Sequence, residues 1–300
     1  MSRTRWIATL GAIAAAGMLV AWGVVQGSGP GQARHLLAQS RALQAQGRTA
    51  AARAILDQLL QRFPASGVAD RALLRMGQLA EQSQDWLRAQ QTYQRLLQEM
   101  PMSELAVQAQ EALGNANIHL IFSSAVTSQD TRYVVQPGDT LNAIAKRFHT
   151  TIELIKRSNS LASDIIHQGM SLKIVGGAFS IVVDKSQNIL LLKRGEEVLK
   201  QYTVSTGANN STPVGTWAIV NRLQDPPWYT DHGVIPAGDP RNILGTRWLG
   251  FDKPGYGIHG TTDPTKLGSQ VTAGCVRMRN DQVEELYDII PESTRVTIID

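Results

Sequence analysis

The chain opens on an apolar run. Residues 6–25, WIATLGAIAAAGMLVAWGVV, carry no charged side chain. At ~1.5 Å per helical residue, a run of this length reaches across a bilayer core of ~30 Å. Arg3 and Arg5 stand before it, which predicts a cytoplasmic N-terminus and an exported remainder. The alternative is a cleaved signal peptide. The run is longer than the ~7–15 residues of a signal-peptide core, and no small-x-small site follows it directly. The expectation is therefore a cytoplasmic stub and uncleaved transmembrane anchor over residues 1–25. QGSGPG, residues 26–31, then reads as a flexible exit.

From residue 33 to about 116 the apolar positions recur at helical spacing among Ala, Gln and Arg. This stretch repeats itself. GRTAAARAILDQLLQRFPAS (47–66) aligns with QDWLRAQQTYQRLLQEMPMS (84–103), and ADRALLRMG (69–77) with AVQAQEALG (106–114), both at an offset of 37. Proline at 64 and 101 closes the same helix in each copy. Helical hairpins are expected, serving either as a groove for a protein partner or as a spacer. The pattern then changes. Around residues 132–175 a short β run leads into the turn Pro137-Gly138-Asp139. Thr140 is placed to cap a helix carrying Leu141, Ile144, Ala145 and Phe148, and Thr151 to cap a second with Ile152 and Ile155. SLKIV closes with a strand. Beyond residue 178, FSIVVD, NILLLK, EVLKQYTVSTG and GTWAIVN are β-rich runs between polar turns. One amphipathic helix follows, NDQVEELYDII (280–290), with Asn280 or Asp281 expected as its cap, and TRVTIID ends the chain.

Composition narrows the function. With 300 residues, 43% hydrophobic and 18% charged, the chain can bury two or three cores. A formal net charge of +4 is weak and dispersed, with no basic stripe interleaved with aromatics, so nucleic acid is not expected as a partner. Six histidines are scattered and there is one cysteine, which provides no ligand cluster; no metal and no cofactor are expected. The single Cys275 cannot form an intrachain disulfide.

Its surroundings, HGTTDPTKLGSQVTAGCVRM (259–278), hold the remaining chemistry. A thiol is only a few per cent ionised at neutral pH and needs a base or a positive neighbour to become a strong nucleophile. Gly274 lets a substrate carbonyl approach the backbone, whose N–H groups can stabilise an oxyanion. Two histidines occur beyond residue 178, His232 and His259, and the residue before Gly274 is Ala273. Sixteen positions separate His259 from Cys275, a gap that a strand end and a returning loop can close. A buried, inert cysteine is the alternative.

Three resemblances run along the chain. Residues 33–116 resemble tetratricopeptide repeats. YVVQPGDTL through GMSLKIV resembles the LysM module, which implies binding to the N-acetylglucosamine-containing glycan of peptidoglycan through Gly138, Asp139, Thr140 and Leu141 and the stretch from Ile165 to Gln168. GIHGT (257–261) followed by GSQVTAGCVRM (268–278), with STGANNSTPVGTWAI and IPAGDPRNILGTRWLGF upstream, resembles the L,D-transpeptidases over residues 178–300. The implied fold is multidomain: a transmembrane helix, tetratricopeptide-like hairpins, a βααβ LysM module and a mostly β catalytic domain. The implied activity is attack of Cys275 on a peptidoglycan stem peptide to form a thioester, then transfer to an amine of another stem or of an envelope protein. Water as acceptor, or a non-catalytic peptidoglycan-binding scaffold, are the alternatives. By the resemblance His259 is the base, Gly274 and Cys275 supply the oxyanion N–H groups, Thr272 orients the loop, and Arg277 meets a substrate carboxylate unless it forms a surface ion pair. Trp248, Tyr229 and Tyr256 line the cleft or pack in the core. Many members carry histidine where Ala273 stands, so no role transfers to that position. The expected location is the periplasmic or cell-surface side of a membrane.

Overall fold

The computed structural model describes residues 29–300. The anchor expected on residues 1–25 lies outside the described residues. Among those described, no helix is long and apolar enough to cross a membrane. The chain divides into two compact units, with the boundary after Ala116.

The first unit is helical: α1 (Gly29–Ala45), α2 (Thr49–Arg62), α3 (Ala69–Gln82), α4 (Trp86–Glu99) and most of α5 (Ala106–Phe122). The starts of α2 and α4 are 37 residues apart, as are those of α3 and α5, so the repeat visible in the sequence is a repeat of helical pairs. Phe63 and Met100 leave the helical region immediately before Pro64 and Pro101, because proline disfavours a helical residue ahead of it. Leu56, Leu59, Leu73, Leu79, Tyr93 and Leu96 form the centre of this core. Gly77 is required there, since a Cβ at that position would collide with the Tyr93 ring.

The second unit begins with the last residues of α5 and contains two cores. In the smaller, β1 (Thr131–Val134) pairs antiparallel with β2 (Ser171–Ile174) around α6 (Leu141–Phe148) and α7 (Ile152–Ser158). Both expected caps form: Thr140 Oγ1 accepts from Ala143 N at 3.1 Å and Thr151 Oγ1 from Leu154 N at 2.9 Å. Val135, Leu141, Ile144, Ile155, Leu172 and Ile174 fill the interior.

The larger part is built from β3 (Phe179–Asp184), β4 (Ile189–Arg194), β5 (Glu197–Thr203), β6 (Thr206–Gly207), β7 (Gly215–Gln224), β8 (Trp228–Thr230), β9 (Gly233–Ile235), β10 (Arg247–Phe251), β11 (Gly257–His259), β12 (Gln270–Thr272), β13 (Val276–Arg277), α8 (Asn280–Ile289) and β14 (Arg295–Ile299). Eight strands form one mixed sheet in the order β13-β11-β10-β7-β14-β3-β4-β5. Its parallel pairs are β14 with β3 and β11 with β13. Ile181, Val183, Leu190, Leu192, Leu249, Ile258, Val276 and Val296 on the sheet pack with Val283, Leu286 and Ile289 of α8.

One expectation is corrected here. Neither Asn280 nor Asp281 caps α8; Arg279 occupies the N-cap position without a side-chain cap bond. Asn280 is the first helical residue, and its Oδ1 instead accepts from Thr246 N at 3.3 Å and Thr261 N at 3.0 Å. That oxygen ties the start of β10 to the segment leaving β11, and Gly245 and Gly260 make room for it, since a Cβ at either would collide with Asn280.

The βααβ module is fused to the larger domain. Leu154 of α7 belongs to the larger core and is fully buried. Thr151 Oγ1, besides capping its own helix, donates to the Asp288 carbonyl. Arg157 pairs with Asp288 at 2.7 Å and stacks its guanidinium over Phe122 at 3.4 Å. Glu153 pairs with Arg222 at 3.3 Å. From β2, buried Lys173 donates to the carbonyls of Leu120 (3.0 Å) and Ser123 (2.9 Å), with buried Asp130 at 3.7 Å. A charge so deeply placed persists because carbonyls and a carboxylate surround it.

This sharing of a core makes a prediction. Leu154→Ala removes a fully buried side chain from the larger domain and should destabilise it by about 2–5 kcal/mol. In thermal denaturation the β-sheet signal should melt earlier, together with the module. An unchanged sheet transition would mean that the module is only tethered.

Candidate active site

The site lies on one face at the β13 end of the sheet, and strand register assembles it. Trp248 on β10 stands directly opposite His259 on β11. His259 in turn stands opposite Arg277 on β13. Because side chains alternate along a strand, Cys275, two residues before Arg277, faces the same way. The pairing of β11 with β13 thus brings the segments carrying the imidazole and the thiol side by side, although the two residues are sixteen positions apart in sequence.

The loop carrying the thiol is braced by one hydroxyl. Thr272 Oγ1 donates to the Cys275 carbonyl at 2.6 Å and accepts from Gly274 N at 3.2 Å. The expected loop-orienting role of Thr272 thus has a geometric basis. The same bond changes the expected oxyanion site: the Gly274 N–H is occupied within the loop, while no protein partner takes the Cys275 N–H. Gly274 has φ +139°, a conformation that favours glycine, and a Cβ there would stand 2.7 Å from Tyr256 Cε1. Tyr256 therefore packs against the nucleophile loop, with Lys253 Nζ 5.3 Å from its ring centre.

The electrostatics favour neutral partners. His259 is 3% exposed. Burial, assisted by the Arg277 charge and opposed by backbone carbonyls at Gly260 and Leu244, lowers its pKa to about 4. Its Nδ1 lies 2.7 Å from the Gly260 carbonyl; an Nδ1–H donated there leaves Nε2 as the basic nitrogen. Burial raises the pKa of the half-buried Cys275 thiol, and an N–H from Gly257 partly offsets this. The thiol donates to the Gly255 carbonyl at 3.5 Å, so no hydrogen bond joins Cys275 to His259 in this resting arrangement. At rest the two groups are a neutral thiol and a neutral imidazole rather than an ion pair.

Among the described residues Arg277 makes no ion pair. Its Nε and Nη2 are buried without hydrogen-bond partners, which sets aside the expected alternative of a surface salt bridge. A cleft of about 350 Å³ opens beside the thiol, walled by Leu223, Pro226, Trp228, Tyr229, Leu244 and Trp248. Tyr229, on the β8–β9 hairpin, is 72% exposed. Of the three expected aromatics, Trp248 and Tyr229 line the cleft and Tyr256 supports the loop. His232 lies at the far turn of that hairpin, exposed. Asn221 and Asn280 were missed from sequence because each acts through a strand that neighbours it only in space.

In the βααβ module, Val135 exchanges backbone hydrogen bonds with Met170 and Gly169, each at 2.9 Å, bringing the 165–168 stretch beside the turn. Ile165 and Gln168 are exposed there, as are Gly138 and Thr140. Asp139 is spent on the turn, accepting from Tyr133 Oη at 2.6 Å and Gln136 N at 2.8 Å. Leu141 is corrected: it is 2% exposed and belongs to the module core, so its side chain lines no groove.

Two outcomes test this site. Gly274→Ala should abolish covalent labelling of Cys275, read by intact mass, while the far-ultraviolet spectrum is kept; retained labelling would show that the φ and the Tyr256 contact do not constrain the loop. The imidazole is competent as a base only when neutral, hence above about 4. Activity should hold as pH falls from 7 to 5 and be lost through about 4, in contrast to the limb near ~6.5 of an ordinary histidine.

Comparison with known proteins finds three families in the same order along the chain. Residues 178–298 match the L,D-transpeptidase catalytic domain, 133–175 the LysM domain, and 36–66 and 71–101 the tetratricopeptide repeat. The chain is 35% identical over 173 residues to the putative L,D-transpeptidase YkuD of Bacillus subtilis (strain 168), covering 55% of this chain and 97% of that protein. It is 39% identical over 126 residues to the putative L,D-transpeptidase YqjB of the same organism, covering 40% of this chain and 70% of that protein.

Proposed function

This chain belongs to the L,D-transpeptidase family, and we propose that it works through a thioester on Cys275 with His259 as the base. Its function is L,D-transpeptidation of peptidoglycan. The observation that carries the residue assignment is the register of β11 and β13, which sets the thiol and a neutral, buried imidazole on one face beside a cleft.

The thiol sulfur attacks the carbonyl at the L-centre of the third stem residue as His259 Nε2 takes its proton. The Cys275 N–H donates to the developing oxyanion. Collapse expels the terminal D-alanine, whose amine receives the proton from His259, and a thioester remains. An amine from another stem or an envelope protein then attacks the thioester and gives its proton to His259; the new L,D amide forms as the C–S bond breaks, and the His259 imidazolium returns that proton to the departing thiolate. The unpaired donors of Arg277 take a donor carboxylate, which would satisfy buried N–H groups otherwise without partners. Gly138, Thr140, Ile165 and Gln168 present the glycan-binding surface of the LysM module, with Asp139 shaping its turn. The helical repeats are offered to a protein partner or act as a spacer.

Incubation of the purified chain with muropeptides, read by mass, tests the acyl transfer. Cross-linked dimers are expected; trimmed monomers alone would identify water as the acceptor. Cys275→Ala should abolish product, and His259→Ala should slow acylation by about 10²-fold or more. Normal turnover by His259→Ala with an inactive His232→Ala would overturn the base assignment.

We further propose that residues 6–25 anchor the chain, with the remainder outside the cytoplasm, as the flanking Arg3 and Arg5 favour. Protease added to spheroplasts should remove the catalytic domain. Recovery of a soluble chain beginning after residue 26 would replace the anchor with a cleaved signal.

A further inference from the structure

The imidazole has a neighbour that the reaction chemistry does not require. The Trp248 indole and the His259 ring lie stacked, 6.0 Å between centres and 20° between planes. The indole does not rest there by packing alone. Its Nε1 donates to Asn221 Oδ1 at 3.0 Å, and Asn221 lies on β7, the next strand of the sheet.

Two glycines make this possible. Gly250 and Gly257 are paired across β10 and β11. A Cβ on Gly257 would stand 2.8 Å from Trp248 Cζ2, and one on Gly250 would stand 2.6 Å from Trp248 Nε1 and collide with Asn221. The indole therefore lies along a Cβ-free slot, and Trp248 lines the cleft that Cys275 also lines.

We propose that Trp248, held by Asn221 over the Gly250–Gly257 slot, is a positioning residue that fixes the His259 ring and shields it from water. This rests on His259 being the base. Stacking restricts imidazole rotation, while the Gly260 carbonyl holds Nδ1; between them, Nε2 has one direction in which to accept the thiol proton. Shielding also preserves the neutral ring. The charged group facing the imidazole is Arg277 from β13; the segment before β10 presents the Leu244 carbonyl, and β10 itself presents the indole.

The experiment uses the purified full-length chain with ¹³C-labelled histidine, the His259 resonance being assigned by its loss in His259→Ala. Titration of this ring is followed by NMR beside the rate of Cys275 acylation by a carbapenem-type β-lactam. In the wild type the His259 signal should stay in its neutral position until about pH 4. In Trp248→Ala the midpoint should move toward ~6.5, and acylation at pH 7 should fall by about tenfold or more. Trp248→Phe keeps a ring and should titrate like the wild type, with a smaller rate loss. Asn221→Leu, at an exposed position, releases the indole and should shift the midpoint in the same direction as Trp248→Ala. Tyr229→Ala removes a cleft wall that does not touch the imidazole and should leave the midpoint in place. A folded Trp248→Ala with an unmoved midpoint and a rate within about twofold of wild type would overturn the proposal. If Trp248→Ala does not fold, an unmoved midpoint in Asn221→Leu overturns it. Failure of His259 as the base appears separately, as undiminished acylation in His259→Ala.

Discussion

Two residue pairs of parallel ladder, Ile258 with Val276 and His259 with Arg277, convert separate segments into a site. They decide which side chains share a face: a shift of one residue would turn Cys275 toward the core and leave His259 without a thiol. Much of the surrounding construction holds this register. Asn280 ties the start of β10 to the end of β11 through two backbone N–H groups. Ser205 exchanges backbone hydrogen bonds with Arg277 on the free side of β13, at 2.7 and 2.8 Å. Thr272 braces the turn just before the strand. So short a strand needs such support, because two ladder residues contribute little by themselves.

The resting chemistry follows from burial. Placing the imidazole almost wholly out of water disfavours its charged form, and the thiol is pushed the same way. An ion pair at rest would place two charges in that poorly solvated corner. The site instead holds both groups neutral at rest. Among the described residues no partner takes the Cys275 N–H, whereas the Gly274 N–H donates to Thr272 Oγ1.

The LysM module is part of the catalytic unit rather than a bead on a string. Leu154 lies in the larger core, and Arg157 and Glu153 pair across the junction with Asp288 and Arg222. Its exposed residues Gly138, Thr140, Ile165 and Gln168 therefore belong to the same compact unit as the sheet beside the thiol. Loss of the junction would therefore affect the stability of both parts of the unit.

The sequence by itself determined the local elements. The 37-residue helical repeat, both threonine caps, the βααβ order and the strands beginning at Phe179, Ile189, Glu197 and Gly215 follow from periodicity and capping chemistry, which act over a few residues. The motif around His259, Gly274 and Cys275 was legible for the same reason. What had no local signal was decided by strand order. Strands of two and three residues, such as β11 and β13, lack a periodic pattern long enough to read, and Asn280 resembled a cap because its competing partners, Thr246 and Thr261, are distant in sequence. Leu141 was expected at the glycan surface, but the helix turns it into the module core. The fate of Arg277, the neutrality of His259 and the seating of Trp248 against Asn221 depend on burial and on neighbours from other strands. Only the folded sheet brings those groups within range of one another, because solvation and hydrogen bonding act through space.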